Sequence, residues 1–294
     1  MRKLLLQLDS SRLPSVFDRV VAYDGGADEV MGYGGVAEAD VRDLVHGLIF
    51  TRGPKDLRNS AIFIGGAEMA AGERLLAAAQ KAFFGPFRVS LMLDSNGSNT
   101  TAVAAVEKLS RAVAGGVAGR RVLVTAGTGP VGTRAAGLLA KAGADVTITS
   151  RKPEEGSRVA DAVHDRFGGA VHAVTMHDAT EAQRVLDGAR PEILLNCGPA
   201  GVMLVPRAAW AGRAGLVAAA DLNAVPPLGV EGIEVNDDGA TRDGVTVFGA
   251  LGVGNFKMKL HKACIAQLFE RNDLVLDAET ISDVARDLAR GRAA

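Results

Sequence analysis

The sequence predicts an α/β protein: two α/β domains with an open cleft. Three observations predict it. Short apolar runs rich in Val, Ile and Leu alternate with longer stretches of helical composition, the pattern of parallel sheets with helical crossovers. A glycine turn, Ala126-Gly127-Thr128-Gly129-Pro130-Val131-Gly132, stands between one such run and one such helix. The chain has 294 residues, enough for two domains of ordinary size. Gly115-Gly116 marks the first boundary, and the last two helices are expected to return to the first domain, which makes it discontinuous, 1–115 plus 257–294, with 116–256 inserted as the second.

In the first domain, Leu4-Leu5-Leu6-Gln7-Leu8 reads as a strand and residues 15–22 as a helix announced by Pro14. Residues 23–28 and 31–35 are rich in glycine and read as loops. A helix is expected over 39–45 and a short strand at Leu48-Ile49-Phe50. A strand at 61–64, a helix at 68–83 and a strand at 87–93 follow. That last strand ends in Asp94-Ser95-Asn96-Gly97-Ser98-Asn99, ahead of a helix over 100–114. Polar and glycine-rich segments then fall at strand carboxyl ends, where open α/β sheets bind ligands.

The second domain opens with Arg121-Val122-Leu123-Val124-Thr125, the glycine turn, a helix over 133–142 stopped by Gly143, and a second strand at 145–149. This is the strand–turn–helix setting of a dinucleotide fingerprint, so the domain reads as a Rossmann-type doubly wound parallel sheet. Gly127 is expected to permit the bend, Gly129 to let a pyrophosphate approach, and Gly132 to let the helix pack closely. Thr128, Pro130 and Val131 complete the cradle, and the helix N-terminus faces the phosphates with free N–H groups. The second strand ends in Ser150-Arg151-Lys152, with no acid before Glu154. A ribose 2′-hydroxyl calls for an Asp or Glu there, whereas a hydroxyl and two cations suit a 2′-phosphate, so the cofactor expected is NADP. Farther on, strands at 171–175, 193–195, 216–220 and 245–248 continue the sheet. Cys197 and Gly198, in the turn that ends the strand at 193–195, are expected beside the nicotinamide. Residues 249–255 read as a flexible turn, with helices over 256–270 and 278–289 after it.

Composition narrows the chemistry. A net charge of −1 gives no reason to expect nucleic acid or an anionic membrane surface as partner. No run approaches about 18 apolar residues, so no membrane span is expected. The two cysteines, Cys197 and Cys264, lack metal or redox spacing and fit a reducing cytoplasm. His46, His164, His172, His177 and His261 form no metal-binding pattern, and no metal is expected. No Gly-x-Ser-x-Gly elbow is present. A dinucleotide domain facing a second polar wall points to hydride transfer. Candidates for that wall are Asp24, Asp28, Asp94, Asn96 and Asn99, with Lys257 and Lys259 at the expected start of a helix, where the dipole disfavours a cation. Each also has a bland reading as a turn former, a cap or a solvated charge.

Ser15-Val16-Phe17-Asp18, Tyr23-Asp24-Gly25-Gly26-Ala27-Asp28, the block 94–102, the glycine turn, and Phe248-Gly249-Ala250-Leu251-Gly252 followed by Lys257 resemble the bacterial methylene-tetrahydromethanopterin dehydrogenase family of methylotrophs. The resemblance spans nearly the whole chain and is nearer the NADP-dependent branch. It implies oxidation of methylene-tetrahydromethanopterin to the methenyl form with hydride passing to NADP, and some members also accept methylene-tetrahydrofolate. It implies a homo-oligomer, a trimer. It places the essential lysine at Lys257 and pterin contacts at Phe17, Asp18, Tyr23, Asp94 and Asn99. Two other readings compete. A shikimate-dehydrogenase-like NADP reductase shares the layout, and residues 221–226 resemble that group's tail motif. A non-enzymatic NADP-binding redox sensor would need no second polar wall.

Overall fold

A computed structural model of the chain describes residues 1–291. The chain divides into two units, one formed by Met1–Thr100 with the chain from Met258 onward, the other by Thr101–Lys257.

The first unit runs β1 (Leu4–Asp9), α1 (Val16–Asp24), β2 (Glu29–Tyr33), α2 (Glu38–Ile49), β3 (Ser60–Gly65), α3 (Met69–Lys81), β4 (Ser90–Leu93) and the start of α4 (Ser98–Ala112). Its strands form a sheet of order β12-β4-β3-β1-β2, parallel throughout, where β12 (Val275–Leu276) is the edge supplied by the chain's end. Sheets covered on both faces need apolar residues in both parities of each strand. Leu6, Leu8, Ile62, Ile64, Leu91 and Leu93 accordingly bury one face under α2 and α3, and Leu5, Ala61, Phe63 and Met92 bury the other. The strand order reverses between β1 and β3. Open α/β sheets bind ligands at the carboxyl ends beside such a reversal, here the loops after Asp9 and after Gly65.

The second unit runs β5 (Arg121–Thr125), α5 (Pro130–Lys141), β6 (Asp145–Ser150), α6 (Pro153–Phe167), β7 (Ala170–Thr175), α7 (Ala182–Ala189), β8 (Ile193–Asn196), α8 (Arg207–Trp210), β9 (Ala218–Asp221), β10 (Asp238–Arg242), β11 (Val245–Phe248) and the first part of α9 (Ala250–Gln267). α9 continues into the first unit, followed by β12 and α10 (Ala278–Ala289). The sheet order is β10-β11-β9-β8-β5-β6-β7, parallel except for the β10–β11 hairpin. Counted from β5, the six parallel strands lie 3-2-1-4-5-6, the doubly wound dinucleotide-binding order, with its reversal between β5 and β8. One face is sealed by Trp210, Val185, Leu186 and Ile233 over Leu123, Leu194, Ala219 and Val247.

Several expected elements differ. The run 31–35 is a loop only at Gly34-Gly35, since Glu29–Tyr33 pairs along β1 as an edge strand. Its Gly32 is there for space, because a Cβ would stand 1.9 Å from Arg19 Nη2. Residues 48–50 are not a strand: α2 runs through Gly47 to Ile49. Residues 249–255 are not a flexible turn, because helix α9 begins at Ala250. Gly249 and Gly252 let that helix start press on another segment, where Cβ atoms would lie 1.9 Å from Glu234 O and 2.0 Å from Asp237 O. Lys257 therefore sits in the third turn of α9, away from the positive end of the helix dipole, and the dipole argument no longer applies to it. Among the described residues no helix is long and apolar enough to cross a membrane.

Candidate active site

At the β5–β8 reversal the second unit holds a cavity of about 440 Å³. Thr128, Gly129 and Pro130 of the glycine turn line it, as do Ser150 and Arg151 after β6 and Cys197 after β8. The turn is fixed to β6 by two bonds: Ala126 N donates to Thr149 Oγ1 at 2.9 Å and Gly127 N to Thr149 O at 3.0 Å.

The three glycines divide the labour differently from expectation. The left-handed residue of the bend is Ala126, with φ of 51°, and not Gly127. Gly127 is needed for space, because a Cβ there would lie 2.5 Å from Ile148 Cβ. Gly132 seats the helix on the turn, since its Cβ would stand 2.7 Å from Gly127 Cα. Gly129 alone faces open room, with Ala126 O at 3.5 Å as the nearest neighbour of an added Cβ. It precedes Pro130, the first residue of α5. The amides of Val131 and Gly132 follow in the first turn, where a helix has no acceptors of its own. An open backbone approach beside first-turn amides fits a pyrophosphate.

The basic strand end also resolves residue by residue. Ser150 is buried, and its hydroxyl is engaged locally: it donates to Lys152 O at 2.8 Å and lies 3.2 Å from Lys152 N. That hydroxyl shapes the turn. Lys152 is exposed and caps the start of α6, outside the cavity lining. Arg151 is exposed and lines the cavity, and a guanidinium suits a 2′-phosphate. No carboxylate follows until Glu154, so the strand end fits NADP. Met176 and His177, at the end of the neighbouring β7, line the same cavity. Sequence reasoning weighed His177 only as a metal ligand, and the pairing of β7 beside β6 is what brings it here.

On the far side, a buried polar chain crosses the carboxyl ends of β5, β8 and β9. Thr125 Oγ1 donates to Asn196 Oδ1 at 2.6 Å, and Asn196 Nδ2 donates to Asp221 Oδ1 at 2.7 Å. Asp221 also accepts from Asn223 N at 3.0 Å and Val230 N at 2.9 Å. Gly198 N donates to Asn196 Oδ1 at 3.2 Å and Gly201 N to Asn223 Oδ1 at 3.3 Å, which fixes the loop after β8. Fully bonded buried networks of this kind rigidify what they hold. Cys197 begins that loop, and burial, with the charge of Asp221 second, pushes its thiol up, so it stays neutral.

In the first unit, Phe17 and Tyr23 of α1 are exposed at 51% and 45%, unusual for aromatic rings. Asp18 is half-buried beside the β1–β3 reversal: a Cβ on Gly65 would lie 3.6 Å from Asp18 Oδ2 and 3.3 Å from Asp9 Oδ2. Asp9 accepts from Ser11 N at 2.8 Å and Ser15 N at 3.0 Å, and Ser11 Oγ accepts from Ala67 N at 3.0 Å. The polar triplet Asp9-Ser10-Ser11 directly after β1 was the signal for this place, and it went unread. Asp94 and Asn99 are buried and do not present a surface. Asp94 takes Thr100 N at 2.9 Å and Thr100 Oγ1 at 2.6 Å, and Asn99 Nδ2 donates to Leu93 O at 2.6 Å. They hold the turn from β4 into α4. Asp24 pairs with Lys262 at 2.7 Å, and Asp28 takes the backbone of Lys3 at 2.7 Å, the bland reading in both cases. Lys257 is half-buried on α9, one turn before the buried Leu260 and His261.

Residues 16–96 match the family described as methylene-tetrahydromethanopterin dehydrogenase, N-terminal. A bifunctional protein MdtA of Methylorubrum extorquens is 50% identical over 289 residues, covering 98% of this chain and 99% of the relative. An NAD(P)-dependent methylenetetrahydromethanopterin dehydrogenase of the same organism is 33% identical, again over 98% and 99% of the two chains. Among solved structures, quinate dehydrogenase from Corynebacterium glutamicum in complex with NAD superposes with a TM-score of 0.54 at 13% identity, covering 98% and 99%, a likeness of fold alone. Identity of this extent along the whole length is what sets the substrate-bearing relatives apart from the fold neighbour: the chain belongs to the methylenetetrahydromethanopterin dehydrogenase family.

Proposed function

We propose that the protein oxidises 5,10-methylene-tetrahydromethanopterin to its methenyl form, with NADP as the hydride acceptor. The observation that carries the reading is the single cavity joining the glycine turn to Arg151, in a chain of this family. Methylene-tetrahydrofolate, which shares the reacting core, is the second substrate.

The carbon that gives up hydride lies between two nitrogens, so its loss leaves a delocalised cation and no proton has to be removed there. The chain's task is therefore binding, orientation and electrostatics. Gly129 and the first-turn amides of α5 hold the pyrophosphate, and Arg151 holds the 2′-phosphate. The bonded loop after β8 gives the nicotinamide a fixed wall with a neutral thiol, which neither attracts nor reacts with a developing cation. In the first unit, Phe17 and Tyr23 offer rings for stacking. The Asp18 carboxylate suits the paired N–H donors of a pterin's aminopyrimidinone edge and favours a nearby positive charge. A charged Lys257 would oppose that charge at close range, so its role is to donate to the pterin carbonyl and hold the ring. We extend the reading to a cytoplasmic homo-oligomer, a trimer by family resemblance, which light scattering on the purified protein tests.

The test is the initial rate with NADP and with NAD, each offered methylene-tetrahydromethanopterin and methylene-tetrahydrofolate. Turnover with NADP and the methanopterin form is expected. Silence in all four combinations with folded protein sinks the pterin assignment.

A further inference from the structure

β6 and β7 run parallel with Ser150 opposite Thr175, and Met176 N donates to Ser150 O at 2.9 Å. Arg151 and His177 therefore leave neighbouring strand ends side by side, and both line the dinucleotide cavity. The imidazole is 60% exposed, so a ligand can reach it. Its placement is fixed by Glu181, whose carboxylate accepts from His177 N at 2.9 Å and lies 3.3 Å from His177 Nδ1. The backbone bond from His177, then the ring bond, holds the Glu181 carboxyl below its ordinary range, so it is an ionised acceptor at neutral pH. An acceptor-only partner assigns the proton to Nδ1 and leaves Nε2 for something else. The other charged groups around the ring are already engaged. Asp178 takes Thr180 N at 2.8 Å and Thr180 Oγ1 at 2.5 Å. Arg184 bonds Thr175 O at 2.9 Å and Glu181 Oε2 at 3.2 Å. Arg151, from the loop after β6, is the remaining cation on the cavity wall.

We propose that His177 is a further specificity residue: protonated, it contacts the 2′-phosphate beside Arg151, so that preference for NADP over NAD strengthens as the imidazole gains its proton. This rests on reading the cavity as the NADP site. The chemistry is matched, because a phosphate monoester carries most of two negative charges at neutral pH and a protonated imidazole is a cation with an N–H to donate. A ribose 2′-hydroxyl offers no comparable charge. The dependence has a definite sign: the extra contact is present below the imidazole's pKa and lost above it.

The experiment measures Kd for NADP and for NAD on the full chain by calorimetry, at about pH 6 and about pH 8.5, for wild type, His177→Gln and His177→Phe. The readout is the ratio of the two affinities, in which contacts to the shared adenosine cancel. Comparing proteins at one pH cancels the phosphate's own titration. At about pH 6 both variants should lose about fivefold in the ratio, and at about pH 8.5 they should match wild type within about twofold. A ratio unchanged at the lower pH overturns the proposal, as does an equal loss at both pH values. A wild-type ratio near unity at both pH values instead overturns the NADP reading beneath it.

Discussion

At the scale of single residues, the glycine turn gives Gly127 and Gly129 different tasks. Gly127 and Gly129 both belong to the fingerprint, yet only one is walled in. Gly127→Ala puts a methyl 2.5 Å from Ile148 Cβ, so β6 or the turn must shift. Overpacking of this kind costs about 1–3 kcal/mol, which chemical denaturation will read as a loss of stability with NADP binding weakened in step. Gly129 has φ of −73° and ψ of 167°, which any residue adopts, and its nearest neighbour is 3.5 Å away. Gly129→Ala should therefore keep stability within about 0.5 kcal/mol while NADP affinity falls at least about tenfold, because the methyl takes the room that a pyrophosphate needs. Intact binding in that variant would remove the pyrophosphate from this turn. Lys257 is tested the same way. Lys257→Ala should cut turnover at least about tenfold with NADP affinity retained, since its proposed partner is the pterin carbonyl. Full activity in that variant rejects the role.

At the scale of elements, Glu192 ties the start of β8 to β5. Its carboxylate accepts from Arg120 Nη1 at 2.8 Å and from Arg121 N at 3.2 Å. These bonds, the Arg120 side chain first, hold its pKa below the ordinary glutamate range. A carboxyl depressed on folding adds stability that is fully present above its unfolded pKa of about 4.3 and is lost as pH falls through the folded value. Glu192→Gln should be less stable than wild type by about 1 kcal/mol at pH 7, and the difference should close on acidification below about pH 4. A gap that persists in acid would make the loss one of shape and not of charge. Strands such as β1, β3, β5 and β8 were legible because both faces are buried and their apolar runs are uninterrupted. Elements were lost where glycine serves tertiary space. Gly32 in β2 and Gly249 with Gly252 at the start of α9 lower local propensity, and the packing they permit outweighs it. β10 and β12 were missed because an edge pair with exposed faces and a two-residue strand carry too little pattern to read. Of the cavity lining, Arg151 and the glycine turn were readable from spacing. His177 and Asp9 were not, since strand pairing brings His177 to its cavity and β1–β3 pairing brings Asp9 to its reversal.

At the scale of the molecule, two different sheet orders divide the work. The unit formed by Thr101–Lys257 is continuous in sequence and holds all seven strands of the dinucleotide sheet. The other unit is not continuous. Its edge strand β12 pairs with β4 only after the inserted unit has been passed, and Leu260, Cys264, Ile265 and Leu268 of α9 are buried. Phe63 of β3 stacks on His261 of α9 with centroids 5.5 Å apart, so the late segment completes a face of the early sheet. Cutting the chain after Lys257 should therefore act unequally. The sheet β12-β4-β3-β1-β2 loses its edge and several large buried side chains, each worth about 2–5 kcal/mol, more in sum than the typical 5–15 kcal/mol stability of a domain can absorb. The dinucleotide sheet loses no strand. A chain truncated at Lys257 should show rapid hydrogen exchange throughout β1, β3 and β4 while β5, β6 and β8 stay protected, and NADP should deepen protection at residues 126–132. Protection of β1 and β3 at wild-type levels would mean that the first hundred residues fold without their C-terminal complement, and the inserted arrangement would then be a matter of chain order alone.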